Sequence, residues 1–548
     1  MGEGLSRRSF LLGAAVLGGG AAISMQGCAP QATTDAEGKA SEKSTEGHSW
    51  SVAPDPIPES DITETVDADI VIVGGGIAGV TCALRAAELG LKAVVVEKMS
   101  QPSGRGGGYA GYQTKGMTEA GIMNASKTDI LERWIRICGN RVKPELIMLY
   151  LDRSGEVIDW AADMAAGKLT FTPMLTAYRG ELYKEEQGWN LCLATEEFAD
   201  KPEDMTNIVF YLWKKSEELG VSYYFDSPAV QLEKDDSDRV VAAVADTPDG
   251  YRRFVGTKGI VLATGDISGD PEMVEAYGDP LAKKAPVNLY TPAGANTGDG
   301  HKMAMWAGGH MEPTPICTMM HPNHYTKQCY FYLYVNADGK RFMNEDTYIQ
   351  AKSLNILEQP GGDYAWSVFD SKWPTEVPAS LKYGGGQFWD NMRRNPGSEW
   401  NQQTAQGIID DAVKNNMGFI CDTLEELADA MDVDQETFLA EVKEYNDLVA
   451  AGEDTRYHKR RELLTSISQP PYYALKFGPS LLCMPGGIEI DTKLRVLDED
   501  NSPVAGLYAI GNCSGGRYAI DYPLIINGNS HGSAMTWGYV AAEEISKQ

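Results

Sequence analysis

An α/β fold is predicted, with a Rossmann-like nucleotide-binding domain split in sequence around an inserted α+β capping domain. Three stretches predict it: DIVIVGGGIAGVTCALRAAELGLKAVVVEK at 69–98, the apolar strand and turn at 259–266, and a strand–turn–helix pattern from 503 to the end. Residues 69–73 form a short, β-branched, almost wholly apolar run, as suits a strand buried on both faces. Gly74-Gly75-Gly76-Ile77-Ala78-Gly79 then fits G-x-G-x-x-G. Gly74 allows the tight turn, Gly76 lets the backbone approach a pyrophosphate, and Gly79 lets the following helix pack close to the sheet. That helix, over 80–89, offers unpaired N–H groups and a positive dipole end to phosphates. A second strand at 93–96 ends in Glu97, eighteen residues past Gly79 and suited to a ribose hydroxyl. A lone glycine pattern is weak; strand, glycines, helix, strand and acid in register are specific.

The remaining elements follow in order. At 548 residues the chain is too long for one simple core. Residues 1–28 read as an export signal: Ser6-Arg7-Arg8-Ser9-Phe10-Leu11 is a twin-arginine pattern, and the apolar stretch after it is short and glycine-rich for a membrane span. Met25-Gln26-Gly27-Cys28 is similar to a lipoprotein box with two poor matches, so lipid anchoring at Cys28 and simple cleavage nearby both stay open. Residues 29–66, poor in large apolar side chains, read as a disordered tether. Residues 67–309 form the first part of the nucleotide-binding domain, with strands around 229–242 and 252–256 joined by a Pro248-Asp249-Gly250 turn. Residues 310–478 are aromatic-rich with helices at 423–431 and 435–450, the inserted cap; residues 479–548 complete the nucleotide-binding domain with a last helix at 533–546.

Composition excludes some classes. A net charge of −29 argues against nucleic acid as a partner. The nine cysteines include no C-x-x-C and no C-x-x-C-H, so no c-type haem or common iron–sulfur spacing is encoded, and no metal site is predicted. Electrons for redox chemistry would come from another protein.

The V-G-G-G-I-A-G run with Glu97, A-T-G at 263–265, T-G-D-G at 297–300, G-K-R-F-M-N-E at 339–345 and G-L-Y-A-I-G-N at 506–512 together resemble the flavoproteins related to soluble fumarate reductase and 3-ketosteroid dehydrogenase. The resemblance covers residues 67–548 and implies non-covalent FAD. It carries cofactor contacts onto Gly74, Gly76, Ala78, Gly79, Glu97, Lys98, Gly104, Gly107, Val230, Thr264, Gly265, Asp299, Glu345, Gly511, Asn512, Asn529 and Ser530.

The same resemblance removes the obvious substrate. Fumarate reductases clamp a dicarboxylate with arginines and histidines, and use an arginine four residues after the R-F-x-N-E glutamate as acid. Here that position is Ile349, the clamping arginine near the C-terminus falls on Tyr522, and a clamping histidine falls on Cys483; His321 is the one survivor. A dicarboxylate in a closed site without arginines is uncompensated charge. Tyr522-Pro523 is instead similar to the Tyr-Pro-Gly of ketosteroid dehydrogenases, though Leu524-Ile525-Ile526 replaces their glycines. The expected site is apolar with phenols: Tyr348 as proton donor, Tyr522 as carbonyl polariser, His321 in reserve for either role, and Tyr330, Phe331, Tyr332 and Tyr334 adding aromatic surface, at most half of it facing a ligand. A tyrosine in a cap is as readily a packing residue, and Arg456-Tyr457-His458-Lys459-Arg460-Arg461 reads as a solvated basic face. The leading expectation is an exported reductase of an uncharged or bulky α,β-unsaturated carbonyl compound, supplied by a membrane cytochrome or quinol-linked donor. A 1,2-dehydrogenase running in the oxidative direction and a non-catalytic flavin electron relay are the alternatives.

Overall fold

Five parallel strands from three distant parts of the chain form the spine of the molecule. A computed structural model describes residues 47–104, 107–174, 187–194, 207–289, 294–326, 330–385 and 400–548. The stretch expected to be an export signal, Cys28 and most of the expected tether lie outside the described residues. Of the described residues, those up to Ser51 fall in one unit and those from Val52 to Gln548 in a second, which holds every element below.

β1 (Ile62–Val73) begins inside the stretch expected to be tether. It pairs in parallel with Gly250–Leu262 from Ile62 to Val73. Its first half is polar and largely exposed while its second half is buried, so no apolar run marks where it starts. α1 (Ile77–Glu88) follows, and β2 (Ala93–Val96) lies parallel to β1 with Ile70 opposite Ala93. Ser222–Tyr224 extends the sheet beyond β2, and Pro503–Ala509 pairs in parallel with Gly250–Leu262 on the other side. The C-terminal strand therefore shares a sheet with the first glycine run, which is the split predicted from sequence. Ala229–Lys234 and Val240–Thr247 form a meander attached to Gly250–Leu262. The last helix, Asn529–Ser546, lies so close to α1 that a Cβ on Gly538 would stand 2.3 Å from the Ala78 carbonyl oxygen.

A second sheet, antiparallel, carries the α+β part. Its order is Met319–Tyr325, Tyr472–Cys483, Ala365–Asp370, Leu333–Val335, with Gly418–Cys421 also paired to Tyr472–Cys483. Tyr472–Cys483 runs across the boundary expected at 478/479, because the apolar continuation to Leu481 keeps pairing with Met320. Helices Leu424–Met431 and Gln435–Ala451 pack on this sheet; Thr423 and Glu426 form a capping box at the start of the first. Tyr330, Phe331, Tyr332 and Tyr334 are all buried in the packing of this sheet, with Phe369 stacked on Tyr332 and Phe477 against Tyr334. None of the four is on the wall of the ligand cavity described below, where at most half were expected to face a ligand.

Candidate functional site

The cavity opens where β1 ends. Gly74 has φ +107°, and a Cβ on it would lie 2.5 Å from the Ala263 carbonyl oxygen, so only glycine makes this turn. A Cβ on Gly79 would lie 2.0 Å from the Gly74 carbonyl oxygen, which leaves the helix no room for a larger residue. Gly76 differs: it is the N-cap of α1, extended, and the nearest atom to a Cβ there is the Ser103 carbonyl oxygen at 3.7 Å. A side chain at Gly76 would fill the cavity rather than strike the protein. The N-terminus of α1, with no side-chain cap of its own, lies at this wall.

Glu97 closes the first end of the cavity. Its Oε2 accepts the Gly75 N–H at 2.5 Å and its Oε1 accepts the Met99 N–H at 2.8 Å. Burial pushes the carboxyl up from its ordinary value, and the two backbone donors oppose that. Each oxygen keeps lone-pair capacity for ribose hydroxyls while the backbone fixes the carboxylate. Lys98 Nζ donates to Thr297 Oγ1 at 2.6 Å and Asp299 Oδ2 at 2.8 Å, so Asp299 holds Lys98 at the same wall. Ala78, Gly104, Gly107, Thr264, Gly265, Gly511, Asn512 and Ser530 also line the cavity.

Four of the residues expected at the cofactor are not on the cavity wall, Gly79 among them, which packs helix against turn as described above. Glu345 is fully buried: Arg341 donates to it twice, at 2.7 and 2.8 Å, and Lys459 Nζ stands 3.4 Å away. Arg341 also pairs with Asp454 at 2.7 Å, so the glutamate anchors a charge cluster inside the cap and is absent from the cavity wall. Asn529 is likewise buried, with Nδ2 donating to the Pro523 and Ile526 carbonyls and Oδ1 accepting from the Tyr518 hydroxyl; it braces the loop behind the wall. Val230 is not at the wall while its neighbour Ala229 is, as alternation along a strand requires. The basic run is solvated only in part: Arg456, His458 and Arg461 are exposed, with Arg456 paired to Glu441 and Glu444, while Lys459 is buried against Glu345 and Arg460 half-buried against Asp346.

The far end of the cavity is built from the cap sheet and the C-terminal loop. Met319, His321 and Asn323 line it from alternate positions of one strand, joined by Ile349, Leu482, Cys483, Tyr522 and Leu524. Tyr348 is not on this wall; it is the N-cap of Ile349–Leu357, and the next residue, Ile349, takes the wall position. Tyr522 is 4% exposed, and its hydroxyl oxygen accepts the Ser530 N–H at 2.8 Å. With an oxygen lone pair used, the phenol proton remains to be donated. Burial raises the phenol well above its usual value, so it stays protonated. Trp189, Asn527 and His531 complete the wall and were not singled out by sequence. Asn527 Oδ1 is buried with no protein partner among the described residues, which fits a polar ligand group. Among the described lining residues the one lysine or arginine is Lys98, and it is at the opposite end beside Glu97.

A parallel sheet, an open glycine at a helix N-terminus, a fixed ribose-type acid and a largely apolar far end of the same cavity define a dinucleotide-dependent oxidoreductase. The chain belongs to the FAD binding domain family, whose model matches residues 69–528, and FAD is its cofactor. It is 26% identical over 495 residues to a probable fumarate reductase of Shewanella frigidimarina, covering 87% of this chain and 74% of that one. It is 25% identical over 513 residues to a vinyl phenol reductase of Lactiplantibacillus plantarum, covering 88% and 97%. A flavocytochrome c3 fumarate reductase in its open conformation has the same fold, with TM-score 0.68 at 24% identity over 89% of this chain and 79% of that one. So does a 3-ketosteroid-Δ4-(5α)-dehydrogenase of Rhodococcus jostii, with TM-score 0.66 at 23% identity over 90% and 100%. The chain is an FAD-dependent oxidoreductase of the fumarate reductase and ene-reductase type, acting on CH–CH or C=C bonds.

Proposed function

We propose that this chain reduces the C=C bond of an α,β-unsaturated carbonyl compound that carries no dicarboxylate, an enone, lactone or steroid-like molecule. The observation that carries the reading is the far chamber: Ile349, Cys483 and Tyr522 stand there, and no lysine or arginine does among the described lining residues. Bound FAD, when reduced, supplies hydride at N5 to the β-carbon. Tyr522 donates its phenol proton as a hydrogen bond to the substrate oxygen, where negative charge grows. Its raised pKa suits a hydrogen-bond donor that must stay protonated. His321, on the same wall, delivers the proton to the α-carbon; Tyr348, off the wall, is set aside as donor. Apolar Met319, Leu482 and Leu524 exclude water and hold an uncharged body. The vinyl phenol reductase, 25% identical, is named for an uncharged alkene and lends support to a neutral substrate. Export by the twin-arginine route, ending either in lipid anchoring at Cys28 or in cleavage nearby, and electrons from a membrane cytochrome or quinol-linked donor complete the proposal.

The test is anaerobic reoxidation of the chemically reduced holoprotein by a panel of enones, lactones, steroids, vinyl phenols, acrylate and fumarate, followed by flavin absorbance. Rapid reoxidation by a neutral member is expected. Fumarate as the fastest oxidant would overturn the substrate reading, and no reoxidation by any compound would favour an electron relay.

A further inference from the structure

Arg517 is a cation enclosed without a matching anion. It is 1% exposed. Its Nη1 donates to Ser533 Oγ, and its Nη2 donates to the Gly511 carbonyl at 2.7 Å and, at 3.4 Å, to the Ser514 carbonyl and hydroxyl. Its Nε has no partner among the described residues. The guanidinium lies 5.0 Å from the ring centres of both Tyr518 and Trp537. Among the described residues no carboxylate stands within ion-pair distance of it. A buried charge held this way is expensive, and a neutral side chain that fills the same space is the cheaper solution for stability alone.

Its position gives the expense a use. Gly511, which it holds directly, is part of the cavity wall beside Asn512 and Ala78. Tyr518, on which it stacks, lies 5.4 Å from the ring of Tyr522, the phenol of the far chamber. The cation thus stands one layer behind the wall, at a point reached from both the glycine loop and the phenol pair. Nearby Glu312 offsets it only in part. Burial pushes that carboxyl up to about 7, and its two oxygens are bound by the Gly516 and Gly487 N–H groups at 2.7 Å rather than by the guanidinium.

We propose that Arg517 is an electrostatic positioning residue whose buried charge stabilises the negative charge the cavity gains when FAD is reduced, and so raises the midpoint potential of the bound cofactor. Two-electron reduction with uptake of one proton adds one net negative charge to the cofactor, and a fixed cation in a low-dielectric wall favours that state. The inference rests on FAD binding and is independent of which alkene is reduced. The positive charge it supplies stands behind the wall, where it does not clamp a carboxylate in the far chamber.

The test is a dithionite titration of the holoprotein against reference dyes, which reads midpoint potential without any substrate. Arg517→Gln is expected to lower the potential, and Arg517→Lys to stay near the parent value. Ser514→Asp, which sets a carboxylate beside Nη2, is expected to lower it while leaving Arg517 in place. An unchanged potential in Arg517→Gln or in Ser514→Asp overturns the proposal, as does an equal fall in the glutamine and lysine variants. Should Arg517→Gln fail to retain FAD, Ser514→Asp and Arg517→Lys decide between the outcomes: a fall in the first with none in the second supports the proposal, and any other pattern overturns it.

Discussion

Glu345→Gln separates a flavin contact from a cap anchor. The carboxylate is fully buried and receives Arg341 Nε at 2.7 Å and Nη2 at 2.8 Å, the Tyr334 N–H at 3.3 Å, and Lys459 Nζ at 3.4 Å. The amide keeps one acceptor oxygen but sets an NH2 group against donors and removes the negative charge. Arg341 and Lys459 are then left with Asp454 as the remaining carboxylate of the cluster. Breaking a buried pair by removing one partner costs about 3–5 kcal/mol. That loss is read as a fall in the urea midpoint at unchanged slope, by far-UV circular dichroism on the holoprotein. FAD affinity, measured by fluorescence titration of the folded variant, is expected to stay within a few-fold of the parent. A tenfold or larger loss of FAD affinity with an unchanged urea midpoint would refute this reasoning and return Glu345 to the cofactor.

Two further perturbations follow from the site. Tyr522→Phe removes the donor to the substrate oxygen and is expected to cut the rate of single-turnover flavin reoxidation by about 10²–10³-fold; a rate within threefold of the parent would remove Tyr522 from the chemistry. The same variant leaves the Ser530 N–H without its acceptor, at a cost of about 1–3 kcal/mol in stability. Gly76→Ala is expected to fold and lose FAD, since its Cβ enters the cavity, while Gly79→Ala is expected not to fold, since its Cβ meets the Gly74 carbonyl at 2.0 Å. Circular dichroism and bound-flavin absorbance read the two apart, and a flavin-loaded Gly76→Ala would refute the assignment.

What the sequence made legible was local. The strand–glycine–helix run works within 69–98, and each part announces itself through residue type and spacing. The split domain was also readable, because the apolar strands Gly250–Leu262 and Pro503–Ala509 are each followed within three residues by a glycine of positive φ, Gly265 and Gly511. Glu345 stands off the wall in a cluster the motif only half announces: Arg341 is in R-F-M-N-E, but Lys459, which also faces the carboxylate, and Asp454, which shares Arg341, are more than a hundred residues away. The basic run at 456–461 was half legible: Arg456, His458 and Arg461 are exposed as read, while the acids that hold Lys459 and Arg460 lie more than a hundred residues away. Tyr348 and Ile349 differ by one position at a helix start, and only the turn geometry decides which faces the cavity. Trp189 and His531 carry no motif; they matter because Gly108 and Gly528 bring their loops together.

The buried acids set opposing slopes of stability against pH. In the cap, burial alone would raise Asp454, but the hydrogen bond from Arg341 and the N–H groups of Tyr457 and Lys459 prevail and hold it down to about 2. Glu345 is also held below its ordinary value, with Lys459 and Arg341 outweighing burial. A depressed carboxyl stabilises the fold above its unfolded value near 4, and that contribution is lost as pH falls toward 2. Beside the FAD cavity the sign reverses. Burial raises Glu312 to about 7 and Asp266 to about 6, against the backbone donors that oppose it. A raised carboxyl binds its proton more tightly in the folded state, so stability is full below about 4 and falls as pH rises through 6 to 7. For Glu312 the loss across that window is about 3 kcal/mol, from roughly two to three pKa units at 1.36 kcal/mol each. The two groups together place the stability maximum between about pH 4 and 5, with the net charge of −29 adding repulsion on the alkaline side. Urea midpoints of the holoprotein from pH 3 to 8 test this, and a midpoint that climbs steadily from pH 5 to 8 would show that the raised carboxyls beside the cavity do not govern it.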